Sequence, residues 1–310
     1  MAAEWDAKLQ RWNGILKVAR VTGSATTSFV VIQGDEAITR EEITAQFGFA
    51  LPYNLTDFLA SELVHKVEHL LPKFKFVHKL DEFQLSYPIV NPPKMIFLNF
   101  NYTDQSGWIR FGKSAPHEPV FYLKPRTCLN GPFADITCPD FVTQLDFEGE
   151  LAAVIGKKCK NISEIDAIVA VCGYMVMNDV SARDIQYTDI QVSRSKCFDS
   201  FAPCGPWIST HEDVENPNDL RLVTRVNGEI RQDSRTSNMV LKVEQIISKL
   251  SKVMTLEPGD IVSTGTPMGT ILSNHGQKPW LKSNDVVEVE IEGLGSIRNR
   301  IIFESPPGSA

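Results

Sequence analysis

The sequence predicts a strand-dominated α+β fold in three parts. These are a small N-terminal α+β domain over residues 1–90, a larger domain over 91–305 and a loose tail over 306–310. Short apolar runs bounded by turn residues recur along most of the chain, and these read as strands. Asn227-Gly228 and Gly293-Leu-Gly295 sit between such runs and read as hairpin turns. Helical spacing is confined to a few segments, so the regular strand–helix alternation of a doubly wound sheet is absent.

In the leading part, residues 15–34 alternate as two strands and reach the turn Gly34-Asp35. Thr39, followed by Arg40-Glu41-Glu42, predicts a capped helix start. Phe58, Leu59, Leu63, Val64, Val67 and Leu70 predict one helix over 56–71. Pro88, Pro92 and Pro93 mark a linker near residue 90. Beyond it, strands are expected at 94–100, 148–155, 173–177, 220–227, 286–291 and 297–303, with a helix over 240–254.

Composition narrows the function. Against 31 Lys and Arg stand 38 Asp and Glu in 310 residues, a net charge of −7. That balance argues against a nucleic-acid partner. The longest near-apolar run, Ala167 to Met177, is too short to span a bilayer. The acidic start Met1-Ala-Ala-Glu-Trp-Asp does not read as a secretory signal. Cysteines 128, 138, 159, 172, 197 and 204 form no C-x-x-C pair, so reduced thiols and a cytoplasmic location are expected.

Glu148 and Glu150 lie two apart in a strand-like stretch, which puts both carboxylates on one face. Gly149 between them lets another group come close. Two adjacent acids repel, so a positive partner is expected, and hard divalent cations prefer carboxylate oxygens. Asp179 ends a second apolar strand and precedes a helix that would place Arg183 and Gln186 on one face. A rival pattern, His65-Lys-Val-Glu-His69, has the H-x-x-E-H form of a helix-borne zinc site. An ordinary amphipathic helix explains the same residues, with Leu63, Val64, Val67, Leu70 and Leu71 as its apolar stripe.

Six segments, taken in order, resemble the fumarylacetoacetate hydrolase family. They are Glu148-Gly-Glu-Leu-Ala-Ala-Val-Ile-Gly-Lys157, Gly173-Tyr through Asn178-Asp-Val-Ser-Ala-Arg-Asp184 with Gln186, and Lys196-Cys-Phe-Asp through Trp207. The others are Val226-Asn-Gly-Glu through Met239, Gly259-Asp-Ile-Val-Ser-Thr-Gly-Thr-Pro-Met-Gly269, and Val286 through Arg300. The resemblance implies a mixed β-roll catalytic domain, usually in homodimers, acting on a small anionic 2-oxo acid or 1,3-dicarbonyl compound. It implies that Glu148, Glu150 and Asp179 bind Mg²⁺, Mn²⁺ or Ca²⁺. Lys196 and Gln186 would take part in catalysis, while Arg183, Thr266 and Tyr102 would hold substrate.

The family's hydrolytic members carry N-Y-x-x-H-x-x-E, whose His and Glu activate water. Here Asn101-Tyr102 agrees, but Gln105 and Trp108 stand at the His and Glu positions. Glutamine accepts no proton at neutral pH. Asp104 and His117 are the substitute bases close in sequence, and Asp104 also falls near the position of a fourth acidic ligand in some relatives. The expected reaction is C–C bond hydrolysis, narrowly ahead of decarboxylation or keto–enol tautomerisation. A metal-binding pseudoenzyme is the remaining reading.

Overall fold

A computed structural model describes residues 16–23, 28–103, 115–274 and 277–305. The leading strands β1 (Lys17–Thr22), β2 (Phe29–Gln33) and β3 (Glu36–Thr39) form an antiparallel meander. Helix α1 (Arg40–Phe47) starts at Thr39, as its sequence predicts. Thr39 accepts from the Glu42 N–H, and the Glu42 carboxylate accepts from the Thr39 N–H, a reciprocal cap.

The single helix expected over 56–71 is instead two, α2 (Leu55–Leu59) and α3 (Leu63–Leu70). Ser61 explains the break. Its hydroxyl donates to the Phe58 carbonyl at 2.7 Å and accepts from the Leu63 N–H at 3.3 Å, which offers the backbone a turn instead of a continuous helix. Two short strands follow, β4 (His78–Lys79) and β5 (Gln84–Leu85).

The larger part opens with β6 (Met95–Asn99), β7 (Val120–Lys124), β8 (Leu129–Asn130), β9 (Ile136–Cys138), β10 (Leu145–Asp146) and β11 (Gly149–Ile155). Helix α4 (Glu164–Ala170) leads into β12 (Val171–Asn178), β13 (Ser181–Ala182), α5 (Arg183–Thr188) and α6 (Ser193–Lys196). Then come β14 (Ala202–Thr210), β15 (Arg221–Val226), β16 (Glu229–Arg235), α7 (Val243–Val253), β17 (Ile261–Ser263), β18 (Val286–Ile291) and β19 (Gly295–Phe303). Asn227 and Gly228 both take positive φ, +52° and +83°, in the β15–β16 turn. This is the geometry that an Asn-Gly pair favours in a two-residue hairpin.

Among the described residues, twelve strands form one mixed sheet whose main path runs β4-β3-β2-β1-β14-β12-β11-β17-β6-β7. The leading strands extend this sheet, because β1 pairs antiparallel with β14. The linker expected near residue 90 falls between β5 and β6. A five-stranded sheet, β16-β15-β18-β19-β9, covers part of the larger one.

Strand β11 is buried on both faces, which accounts for its unbroken apolar run. Leu151, Ala153 and Ile155 join a core with β15, β18, β19 and α7. Ala152 and Val154 join a second core with Phe29, Ile38, Phe58 and Val67 of the leading part. Glu148 and Glu150 share the parity of the second set. Among the described residues, no helix is long and apolar enough to cross a membrane, and all six cysteines carry free thiols.

Candidate metal centre and active site

Two neighbouring antiparallel strands bring the three acids together. In the β11–β12 ladder Gly149 faces Asn178, so Glu148 and Glu150 flank the point where β12 ends and Asp179 follows. The Asp179 N–H donates to the Glu148 carbonyl at 2.8 Å, and the Glu148 N–H donates to Asn178 Oδ1 at 3.0 Å. One carboxylate oxygen from each of Glu148, Glu150 and Asp179 lies within 4.8 Å of the others. Among the described residues no other group of His, Cys, Asp or Glu side chains meets in this way. Glu148 keeps 8% exposure against 0% for Glu150 and Asp179, so access to the cluster is from the Glu148 side.

Gly149 is required by what packs against it. A Cβ there would lie 2.4 Å from Thr224 Oγ1 and 3.0 Å from a Val289 methyl. The group that approaches is therefore β15 with its Gln232 partner, a contact the strand spacing only suggested. Gln232 Oε1 accepts from the Gly149 N–H at 3.0 Å, and Gln232 Nε2 donates to Thr266 Oγ1 at 2.8 Å. Thr266 in turn donates to the Gly149 carbonyl at 2.8 Å. Its hydroxyl proton is thus committed to the strand between the two glutamates.

Buried cations surround the acids. Lys196 Nζ lies 2.7 Å from Glu148 Oε2 and 2.9 Å from Asp179 Oδ2. Lys124 Nζ lies 2.6 Å from Asp179 Oδ1, and the Tyr122 hydroxyl donates to Asp179 Oδ2. Arg183 reaches Glu148 Oε1 at 2.6 Å and Asp146 Oδ2 at 2.9 Å, and donates to Gln186 Oε1 at 2.8 Å. The shared face predicted for Arg183 and Gln186 is therefore present. Asp146 also accepts from the Ile271 and Leu272 N–H groups at 2.9 and 3.0 Å, which ties the loop after Thr266 to the same cluster.

The electrostatics separate the three acids. Burial pushes Glu150 well above the ordinary carboxylate range, and the nearby charges of Asp179 and Glu148 push it the same way. Burial also pushes Asp179 up, but the ammonium groups of Lys124 and Lys196 outweigh it and hold Asp179 at about 2. Burial would lower Lys196, yet Asp179 and Glu148 keep its pKa raised and the group charged. The Tyr122 phenol is raised by burial and by Asp179, so it stays a donor.

The donor set fits a hard divalent cation on two grounds. With Glu150 deprotonated, as ligation of a metal requires, four carboxylates (Asp146, Glu148, Glu150 and Asp179) face three cations (Lys124, Arg183 and Lys196), which leaves one negative charge for a cation to meet. Glu150 accepts from Ser263 at 2.5 Å and from the Gly265 N–H at 3.1 Å through Oε2, while its buried Oε1 has no hydrogen-bond partner. A buried, unpartnered carboxylate oxygen costs free energy unless a cation meets it. Gly265 can aim its N–H there because it holds φ at +90°.

The other expected site residues are placed as follows. Tyr102 is fully buried in the core, and its backbone bridges Met239. Asp104, Gln105 and Trp108 lie outside the described residues. His117 is exposed on the segment before β7, and the neighbouring Glu118 pairs with Lys249 at 2.7 Å. His65 and His69 are exposed on α3. His65 Nδ1 lies 3.3 Å from Glu68, and Val64 and Val67 are the residues that helix buries. The H-x-x-E-H pattern is an amphipathic helix.

Sequence reasoning did not single out Tyr122, Lys124, Asp146, Gln232 or Ser263 as parts of the site. Tyr122 and Lys124 carried a usable signal. They are polar-ended side chains two apart in Val120-Phe-Tyr-Leu-Lys124, so they share a strand face, and both are buried.

Comparison with known proteins agrees with this geometry. Residues 94–302 match the family model described as fumarylacetoacetate (FAA) hydrolase C-terminal. The mitochondrial oxaloacetate tautomerase of Xenopus laevis is 38% identical over 259 residues, covering 82% of this chain and 80% of that protein. The crystal structure of a 2-hydroxyhepta-2,4-diene-1,7-dioate isomerase from Mycobacterium marinum is similar with a TM-score of 0.72 and 32% identity, covering 94% of this chain and 99% of that one. A maleylpyruvate hydrolase from Sphingobium sp. SYK-6, crystallised with manganese(II) and pyruvate, is similar with a TM-score of 0.75 and 28% identity, covering 94% of this chain and all of that one. With its family segments, its acidic cluster and these likenesses in agreement, the chain belongs to the fumarylacetoacetate hydrolase family.

Proposed function

We propose that the chain is a divalent-metal-dependent isomerase that interconverts the keto and enol forms of a small anionic 2-oxo acid. Glu148, Glu150 and Asp179 hold the cation, with Mg²⁺ or Mn²⁺ the expected ion. The observation that carries the isomerase reading is the replacement of the family's hydrolytic His and Glu by Gln105 and Trp108. A tautomerisation moves one proton and needs no activated water. The names of the Xenopus laevis and Mycobacterium marinum relatives support the same class.

When bound, the cation supplies Lewis-acid stabilisation of negative charge on the substrate's oxygen. A bound divalent cation would turn the cluster's excess of one negative charge into an excess of one positive charge, which suits an anion. Lys196 and Arg183 hold the Glu148 carboxylate from two sides, and both remain charged to meet a substrate carboxylate there. Gln232 and Thr266 fix the Glu148–Glu150 strand, so the two acids keep their spacing. Asp104, two residues beyond Tyr102, is the carboxylate we assign to carry the proton between carbon and oxygen.

The test is incubation of the Mg²⁺- or Mn²⁺-loaded protein with oxaloacetate and acylpyruvates, with products followed by NMR. The reading predicts accelerated enol–keto exchange with no cleaved acid and no carbon dioxide, slowed by about 10²-fold in Asp104→Asn. A cleaved acid that carries label from heavy-oxygen water would instead establish C–C hydrolysis. That second reading is favoured by the maleylpyruvate hydrolase likeness. Release of carbon dioxide would establish decarboxylation, and no turnover of any of these compounds would leave a metal-binding protein. A homodimer, the usual family assembly, is tested by light scattering of the same preparation.

A further inference from the structure

Two cysteines meet beside the cluster without belonging to it. Cys128 closes the single turn Arg126–Cys128 that follows β7, the strand carrying Tyr122 and Lys124. Cys197 directly follows Lys196 at the end of α6. Their contacts cross. The Cys128 sulfur lies 3.9 Å from the Lys196 carbonyl oxygen, and the Cys197 sulfur lies 3.7 Å from the Leu123 carbonyl oxygen. Each sulfur therefore lies against the segment that carries the other. Cys128 is fully buried, whereas Cys197 is half-buried and reachable from solvent.

We propose that Cys128 and Cys197 form an oxidisable dithiol site at which a hydroperoxide converts the two thiols into a disulfide joining the segment after β7 to the end of α6.

The two sulfurs have unequal roles. A hydrogen bond from Cys128 stabilises the Cys197 thiolate, and the Lys124 ammonium adds to this, so Cys197 sits at about 7 despite the opposing effect of burial. The same hydrogen bond and burial push Cys128 far above the ordinary thiol range. Burial raises Cys138, Cys172 and Cys204 to about 12. Cys197 is thus the nucleophile and Cys128 the resolving thiol.

In the first step the Cys197 thiolate attacks the terminal peroxide oxygen. The O–O bond breaks, hydroxide or alkoxide leaves and takes up a proton, and Cys197 becomes a sulfenic acid. In the second step the Cys128 sulfur attacks the Cys197 sulfur. The S–O bond breaks, the S–S bond forms, and the departing hydroxide leaves as water with the Cys128 proton. The two thiols lose two electrons in total, and the peroxide is reduced by two electrons to water, or to water and an alcohol.

The site is tested on the full-length, fully reduced protein treated with hydrogen peroxide and mapped by mass spectrometry. The proposal predicts a loss of two hydrogen masses, one linked peptide pair containing Cys128 and Cys197, and full reversal by dithiothreitol. Alkylation by iodoacetamide near neutral pH is expected to be roughly tenfold faster at Cys197 than at any of the other five cysteines. Cys197→Ser should abolish the linked pair, and Cys128→Ala should leave a Cys197 sulfenic acid that dimedone traps. Should Cys128→Ala fail to fold, the wild-type peptide map and alkylation rates decide alone. A linked pair made of other cysteines, or Cys197 alkylating no faster than the buried thiols, overturns the proposal.

Discussion

Helix α3 and the ends of strands β11 and β12 both carry a sequence pattern able to hold a metal, and the fold treats them differently. His65, Glu68 and His69 lie on one short helix that buries Val64 and Val67, and the two histidines are exposed off that apolar stripe. Glu148, Glu150 and Asp179 come from two strands about 30 residues apart in sequence and are buried together. The difference teaches that spacing within one element says little about a site. What counts is convergence of separate elements, burial, and a shortage of compensating charge. On α3 both histidines are exposed and His65 lies 3.3 Å from Glu68, and the side chains do not converge into a ligand set. In the cluster, Glu150 keeps a buried oxygen without a hydrogen-bond partner.

The largest effect that sharpens this contrast is on activity. Glu150→Ala should lower turnover of the 2-oxo acid substrate by about 10³-fold or more, since a Lewis acid contributes several kcal/mol. His65→Ala should change it by less than about twofold, because an exposed side chain away from the site is close to neutral. Equal losses in steady-state assays of the two variants would erase the distinction.

A next effect concerns stability. Lys124→Met removes one partner of a buried pair and leaves Asp179 with only Lys196 and Tyr122. Denaturant unfolding should show a loss of about 3 kcal/mol, the lower end for breaking a buried ion pair. An unchanged midpoint would mean that Lys124 does not support Asp179. Gly149→Ala should cost about 1–3 kcal/mol, since the added methyl meets Thr224 and Val289 in a packed interior. A neutral result would show that β15 yields at this point.

The smallest effect lies in the leading part. His78 bridges Glu42 at 2.9 Å and Glu82 at 3.3 Å. Burial would lower its pKa, but the two carboxylates raise it. A raised histidine adds stability that is fully present below the unfolded value, near 6.5, and is lost as pH rises through the higher folded value. Compared with His78→Gln, the wild type should be more stable at low pH by less than about 1 kcal/mol, because the pair is partly exposed. The gap should close at alkaline pH. A gap that widens with pH would reverse the assigned sign.

Much of this was legible in the sequence, for identifiable physical reasons. Period-two alternation placed Glu148 and Glu150 on one face, and helical spacing placed Arg183 and Gln186 on another, where the fold adds a hydrogen bond between them. Thr39 with Glu42 announced a capped helix, and Asn227-Gly228 announced a hairpin. The partners that complete the cluster were less visible, because tertiary contacts bring them from far along the chain. Lys124 lies 55 residues before Asp179, and Ser263 lies 113 after Glu150. The division of 56–71 into two helices was missed because apolar spacing alone ignored what the Ser61 hydroxyl does to the backbone. Gly149 was read as a point of close approach, but only the fold identifies Thr224 and Gln232 as what approaches.

The central claim is that the carboxylates of β11 and β12, not the histidines of α3, hold a divalent cation. Equilibrium titration of the metal-free chain with Mn²⁺, read by calorimetry and paramagnetic relaxation, tests it most directly. The account predicts one ion per chain for the wild type and for His65→Ala/His69→Ala, and no saturable binding for Glu148→Ala/Glu150→Ala. Binding that survives loss of both glutamates, or disappears with the two histidines, would contradict it.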